Sequence, residues 1–304
     1  MEQIISAVDK PLIEKELTKE KFLRKSNLGN NELYIVTAHD SPNIMKEVGR
    51  LREIAFRKAG GGTGKSIDID EFDTSDNPYH QLIVWDPEIK EILGGYRYYI
   101  CGLSKPENDL HLASTELFKY SDKFINNYLP HLIELGRSFV QPDFQTTGSS
   151  RKELFALDNL FNGLGALIMR NPDKKYFFGK VTMYADYDLL ARDYLLYFMK
   201  KYFGDNEHLM ETRNEIKIQT PESELALLFT GSNYKEDHRI LFNLVKERGE
   251  LIPPLINAYM NLSPTMKVFG TGINDHFGDV IETGIMVTIP DMYPDRVARH
   301  MEGL

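Results

Sequence analysis

The chain predicts an α+β fold: one mixed, mostly antiparallel sheet flanked by helices in three α/β/α layers. Runs rich in β-branched and aromatic residues recur along the sequence, helical stretches lie between them, and two runs follow one another across a turn as a hairpin. The order β-α-β-β-β-α-β-α, an insertion, then β-β implies a single sheet that the last strands complete.

Residues 11–23 are charged and weakly amphipathic and end at the polar break 26–31, which predicts an N-terminal helical arm over residues 1–30 and one domain over 31–304. LYIVT at 33–37 reads as a first strand. Ser41-Pro42 supplies an N-cap and a proline at the first helical position, opening a helix to about Lys58 that stops at Gly60. QLIVWD (81–86) and ILGGYRYYI (92–100) flank a turn containing Pro87 and form the hairpin. LIELGRSFV (132–140) is the next strand, stopped by Gln141-Pro142-Asp143. Leu154, Leu157, Phe161, Leu164 and Ile168 recur at helical spacing and predict a helix over 152–170. A strand at 176–183 and an aromatic helix at 189–203 follow; Lys200 and Lys201 suit that helix's C-terminal dipole. Residues 204–262 read as a mainly helical insertion, with a helix at 234–248 and another after Pro253-Pro254. Strands at 267–270 and 284–289 close the order.

Composition narrows function. With 304 residues and 42% hydrophobic content the chain builds a substantial core, and 36 basic against 45 acidic residues leave a net charge of −9. That balance argues against general binding to nucleic-acid backbones. No apolar run approaches the roughly 20 residues of a membrane span, and the N-terminus has neither a basic nor a long apolar region, so a cytoplasmic protein is expected. Cys101, the single cysteine, makes neither an intrachain disulfide nor a thiolate cluster. The eight histidines show no metal-binding spacing, and no metal is expected.

Two motifs mislead. AGGGTGKS at 59–66 approximates a phosphate-binding loop, but such a loop follows a strand and opens a helix, whereas this one ends a helix and leads into an acidic, extended stretch. A P-loop nucleotide-binding protein is therefore a secondary alternative. Asp68, Asp70, Asp73 and Asp76 lack the glycine and closing glutamate of a calcium loop and read as a solvated turn.

A charge in the wrong place is more informative. On the 41–58 helix Ile44, Val48, Leu51 and Ala55 mark an apolar arc, and Arg52 falls inside it, while Lys46, Arg50, Arg57 and Glu53 lie on the opposite, solvated side. A buried guanidinium costs several kcal/mol unless a carboxylate pairs with it. Asp70, Asp73 and Glu134 are candidates, the last inside an apolar strand, where Arg97 and Arg137 also interrupt strands. This cluster is either a salt-bridge network fixing the sheet or an acid–base site whose carboxylate the arginines tune. Residues three apart on a strand face opposite sides, so Glu134 and Arg137 share a cleft only if a bulge, with Gly136 the natural position, re-aims one of them.

Arg52-x₃-Phe56, Asp68-x-Asp70-x-Phe72-Asp73, Gly94-Gly95-Tyr96-Arg97 and Glu134-Leu135-Gly136-Arg137-Ser138-x-Val140-x-Pro142 together resemble the GNAT acyltransferase superfamily. Within it the resemblance is to the acyl-carrier-protein-dependent branch that holds acyl-homoserine-lactone synthases and ornithine-lipid N-acyltransferases. Pro253-Pro254-Leu255, Tyr259 and Asn274-Asp275-His276-Phe277 are similar to lipoamino-acid acyltransferases, glycine-lipid synthases in particular. The only tryptophan, Trp85, lies on a strand, and none follows Arg-x₃-Phe as in homoserine-lactone synthases.

The resemblance implies a GNAT-like fold and an N-acyltransferase that moves a long, 3-hydroxylated acyl chain to the α-amine of a small amino acid, glycine first and ornithine second, in lipoamino-acid synthesis. An O-acyltransferase of lysolipid type is the alternative. It implies Glu134 as base, Arg52 and Arg97 on the acceptor carboxylate, Phe56 lining the cleft, Asp70 and Asp73 orienting the arginines, and Arg137 holding phosphopantetheine or bracing Glu134. Backbone amides of the bulge would stabilise the oxyanion. Val140, Gly148, Ser149 and Arg151 correspond to the donor-binding stretch. Its glycine loop is faint, which favours acyl-carrier protein over acyl-CoA as donor; no tightly bound cofactor is implied. Arg151-Lys152 and Lys174-Lys175 would receive the acidic carrier protein. A transient, peripheral contact with a membrane is expected for a lipid product, and the 189–203 helix reads as core before interfacial surface.

Overall fold

The computed structural model describes residues 1–27, 29–102, 110–144 and 151–301, apart from the side chains of 151–158 and 299–301. In chain order the elements are α1 (Lys10–Glu16), β1 (Phe22–Lys25), β2 (Glu32–Val36), α2 (Pro42–Lys58), α3 (Glu71–Thr74), β3 (His80–Asp86), β4 (Glu91–Ile100), β5 (Phe118–Tyr120), α4 (Asp122–Asn127), β6 (Leu132–Val140), α5 (Arg151–Arg170) and β7 (Tyr176–Met183). They continue with α6 (Leu189–Phe203), β8 (Met210–Thr212), α7 (Glu222–Leu228), α8 (Tyr234–Glu247), α9 (Pro254–Met260), β9 (Lys267–Asn274), β10 (Val280–Thr288) and α10 (Pro294–Met301).

An eight-stranded sheet runs in the order β1-β2-β3-β4-β6-β7-β10-β9 and is antiparallel except between β6 and β7. The mixed, mostly antiparallel α+β fold expected from the sequence is thus present. Alternation along β3 explains the layers. Leu82 and Val84 face a core shared with α5 and α6, whereas Ile83 and Trp85 face the core built on Ile44, Val48 and Leu51 of α2. The α6 helix lies inside the first core, with Tyr194 and Tyr197 buried and the Tyr202 hydroxyl on Asp237, so it offers its aromatics to the interior rather than to an interface.

Three local expectations change. The N-terminal arm is a two-turn helix followed by a strand: Phe22 pairs opposite Tyr34, with the two rings in edge contact, so β1 extends the sheet. Ser41 precedes α2, but its hydroxyl binds Asp40 and accepts from Lys21; Glu16 caps the helix instead, accepting from the amides of Asn43 and Ile44. The 204–262 segment contributes β8, paired with β5 in a second small sheet, and its helices place Leu225, Phe229, Leu241, Val245, Ile256 and Met260 in the core under α6.

One feature of the sheet positions the site. The parallel ladder between β6 and β7 runs only from Leu132 opposite Tyr176 to Leu135 opposite Gly179, although both strands continue. Beyond it β6 stays with β4 and β7 stays with β10, so the sheet splits. Gly179 lets the strands meet closely at the last rung: a Cβ there would stand 2.7 Å from the Leu135 carbonyl oxygen.

Candidate active site

The split opens into a cavity of about 790 Å³. Gly136 to Val140 of β6 and Lys180, Thr182 and Met183 of β7 form two of its walls, with Phe277 and Leu255 from the C-terminal part of the chain closing it. A smaller apolar pocket, about 50 Å³, shares Leu135 and Lys180 with it and continues between Leu160, Leu164, Phe177 and Tyr259.

A bulge shapes the first wall. Gly95 pairs opposite Phe139 and Arg97 opposite Gly136, so Arg137 and Ser138 together stand across from Tyr96 alone. The expected irregularity exists, but the residue in the left-handed region is Arg137, with φ of 50°, next to the glycine. The extra residue carries Arg137 to Asp70, which Arg97 also contacts, and to the same cavity as Glu134. Gly94 is required opposite, since a Cβ there would lie 2.5 Å from the Phe139 carbonyl oxygen.

Three arginines and three aspartates interlock beneath this wall. Arg52, wholly buried, reaches Asp73 at 3.1 Å and donates to Gln81 Oε1, and Gln81 donates in turn to Asp73 at 2.9 Å. Arg97 contacts Asp70 at 2.6 Å and Asp73 at 3.3 Å, with its guanidinium over the rings of Phe72 and Tyr79. Arg137 pairs with Asp68 at 3.0 Å and approaches Asp70 at 3.7 Å. Burial opposes ionisation of Asp73, but Arg52 and Arg97 outweigh it and hold the carboxyl far below the usual range. Burial likewise opposes the charge of Arg97, yet Asp73 and Asp70 raise its pKa further.

The acidic stretch is therefore neither extended nor a solvated turn. Asp68 and Asp73 are buried under the guanidinium groups, and Asp70 with Asp73 forms a reciprocal capping box that closes the single turn of α3. Arg97 and Asp70 line the cavity, as does Phe56, which packs on Phe277 at 5.0 Å between ring centroids; Phe277 carries the Arg137 guanidinium 4.2 Å above its own ring. Arg52 and Asp73 do not line it: they lie one layer below, out of reach of an acceptor's carboxylate.

Glu134 lines the cavity but is bonded differently from the expectation. Oε1 accepts from the Ser114 amide and hydroxyl, and Oε2 from the Ala113 amide and the Tyr79 hydroxyl. None of these partners is an arginine. The three guanidinium groups already pair with Asp68, Asp70 and Asp73, so no arginine bonds Glu134 and the Glu134–Arg137 brace is not formed. Burial and the Glu134 charge push the Tyr79 hydroxyl well above its ordinary pKa, fixing it as a donor.

The second wall carries groups the sequence did not disclose. Lys180 Nζ lies 2.9 Å from Glu282 Oε2, which also accepts from Asn274 Nδ2 at 2.8 Å. Burial would raise the Glu282 pKa, but Lys180 and Asn274 more than offset it and keep the group charged. Both residues interrupt apolar strands, the same signal that pointed to Arg97 and Arg137.

Of the donor-binding expectations, Val140 stands on the cavity wall, Gly148 and Ser149 lie outside the described residues, and Arg151 begins α5 with its side chain outside them. Lys174 cannot receive a carrier protein: it is buried, donating to the carbonyls of Cys101 and Pro130, at the end of β7 remote from the cavity. The glycine loop cradles a protein carboxylate instead of a phosphate. Glu53, buried rather than solvated, accepts from the Thr63 amide and hydroxyl and from the Gly64 amide. Among the described residues no cluster of three or more metal-ligating side chains occurs, and no helix is long and apolar enough to cross a membrane.

The GNAT acetyltransferase domain matches residues 51–152. The chain is 51% identical to the glycine N(alpha)-acyltransferase of Phocaeicola vulgatus, over 99% of its own length and 93% of that protein's. It is 52% identical to the glycine N(alpha)-acyltransferase of Bacteroides thetaiotaomicron, over 99% of its own length and 90% of that protein's. The chain belongs to this GNAT acyltransferase family. Among solved structures, the AHL synthase LasI overlaps 49% of this acyltransferase and 71% of LasI, at 16% identity and a TM-score of 0.33. In this acyltransferase the arginine–aspartate cluster and Glu134 fall inside the matched domain, whereas Lys180, Asn274 and Glu282 fall beyond it.

Proposed function

We propose that this acyltransferase moves a long, 3-hydroxylated acyl chain from the phosphopantetheine thioester of acyl-carrier protein to the α-amine of glycine, in the cytoplasm and in transient contact with a membrane surface. One observation carries the reading: the split between β6 and β7 joins a cavity of mixed charged and apolar lining, large enough for a thioester and a small acceptor, to an apolar pocket that extends it. Glycine is supported by the names of both relatives. The carrier protein and the hydroxyl group rest on the family resemblance alone.

The thioester carbonyl enters the split, where the amide released from the ladder by the bulge stabilises the tetrahedral oxyanion. Arg137, half-open to the cavity and braced from below by Phe277, holds the pantetheine arm. The glycine ammonium gives one proton to solvent water, its neutral nitrogen bonds to the carbonyl carbon, and the C–S bond then breaks as the departing thiolate takes up the second amine proton, leaving N-acylglycine and the free thiol. Glu134, the base expected from the sequence, has two donors on each oxygen and so serves better to position Tyr79 and the 113–114 backbone than to take a proton. Arg97 and Asp70 fix Arg137 and the cavity floor, over Arg52 and Asp73.

The test is mass spectrometry of lipids from a bacterium expressing the wild-type chain or Arg137→Ala. N-acylglycine should appear with the wild type and fall about a hundredfold with the variant. Ester products, or no new species from folded wild-type protein, would sink the proposal.

A further inference from the structure

We propose that Lys180 and Glu282 form the acceptor subsite, Glu282 Oε1 receiving the ammonium of the amino acid and Lys180 Nζ its carboxylate. This deepens the function just proposed and rests on it.

The two oxygens of Glu282 are used unequally. Lys180 and Asn274 both contact Oε2, at 2.9 and 2.8 Å, while the nearest donor to Oε1 is the Thr182 hydroxyl at 3.5 Å, the outer edge of a hydrogen bond. A carboxylate accepts about four hydrogen bonds, and a buried one that lacks donors is costly. Glu134, on the other wall, has its full set; Glu282, only 4% exposed and on the cavity surface, does not. Lys180 has the complementary surplus. Its ammonium carries three donors, and its contact with Glu282 uses one.

The sheet holds these unused groups side by side. Across the β7–β10 ladder Glu282 is opposite Thr182 and Lys180 is opposite Gly284, so no side chain of β10 stands directly across from the lysine. A spare anionic acceptor next to spare cationic donors is the charge mirror of a small zwitterion. An amino acid set against the pair satisfies both and leaves its α-carbon toward Arg137 and the bulge across the cavity.

Steady-state kinetics with glycine and acyl-carrier-protein thioester, together with saturation-transfer NMR of glycine alone, test this on the full chain. Glu282→Gln and Lys180→Met should each raise the glycine KM at least about tenfold while the thioester KM stays within about twofold. Lys180→Arg, which keeps the donors, should recover most of the loss. If Glu282→Gln does not fold, Glu282→Asp, which keeps the charge but shortens the reach, should show the same glycine-only rise. Unchanged glycine KM in folded variants, or equal rises for both substrates, overturns the subsite and leaves the proposed function standing. Wild-type protein that binds glycine by NMR, loses that signal in Glu282→Gln and yet makes no N-acylglycine supports the subsite and overturns the function. No glycine binding and no product overturns both.

Discussion

At Arg52 the two guanidinium nitrogens with partners reach different side chains, Asp73 and Gln81, and a lysine ammonium cannot reproduce that fork. Arg52→Lys should therefore lower unfolding free energy by about 2–4 kcal/mol in urea titration, close to the effect of breaking a buried pair. The same cluster sets the acid limit of stability. Asp73 has a folded pKa depressed below its unfolded value near 3.9, so its contribution is fully present at neutral pH and is lost as pH falls toward the folded value. Thermal midpoints should be nearly level from about pH 6 to 8 and drop below about pH 4; a level midpoint down to pH 2 would contradict the coupling. Arg52 was legible because helical periodicity alone marks a cation on an apolar arc. Glu282 was not, because the Thr283-Gly284 step interrupts the apolar run and starts the expected strand four residues too late. Lys180 fell inside an expected strand, but its partner becomes visible only once the β7–β10 register is known.

The split depends on how β6 and β7 part, and Gly179 controls the last point at which they touch. With Leu135 O only 2.7 Å from where a Cβ would stand, Gly179→Ala forces the ladder apart one rung early. It should cost about 1–3 kcal/mol in a thermal melt and reduce acyl transfer by more than the lost stability explains. The bulge was partly foreseeable: a glycine between two charges inside an apolar strand is a reason to expect one. That Arg137 itself takes the left-handed conformation follows from the acids and the Phe277 ring it meets, which no local pattern contains. The D-x-x-D spacing of α3 was readable as a capping box and was hidden by the density of charge around it. For β1 only four residues are involved, too few for periodicity to separate strand from helix end.

Across the whole molecule the 204–262 segment, expected as an insertion, is integral to the packing. Its strand pairs with β5 and its helices finish the core against α6, so a chain lacking those residues loses nine buried apolar side chains at once. Such a deletion should give no cooperative transition by circular dichroism or calorimetry, whereas the full chain should unfold in one. These contacts join residues far apart in the chain, beyond the reach of any local pattern. Glu2 is joined just as firmly. The Glu2 amide donates to the Gly64 carbonyl, its carboxylate accepts from Ser66, and the glycine loop that they hold rests through Gly61 on Gly278, next to the phenyl ring under Arg137. Glu2 is thus a distant prop of the candidate cleft: Glu2→Ala, which removes the acceptor for Ser66, frees the glycine loop to move against the segment that carries Phe277.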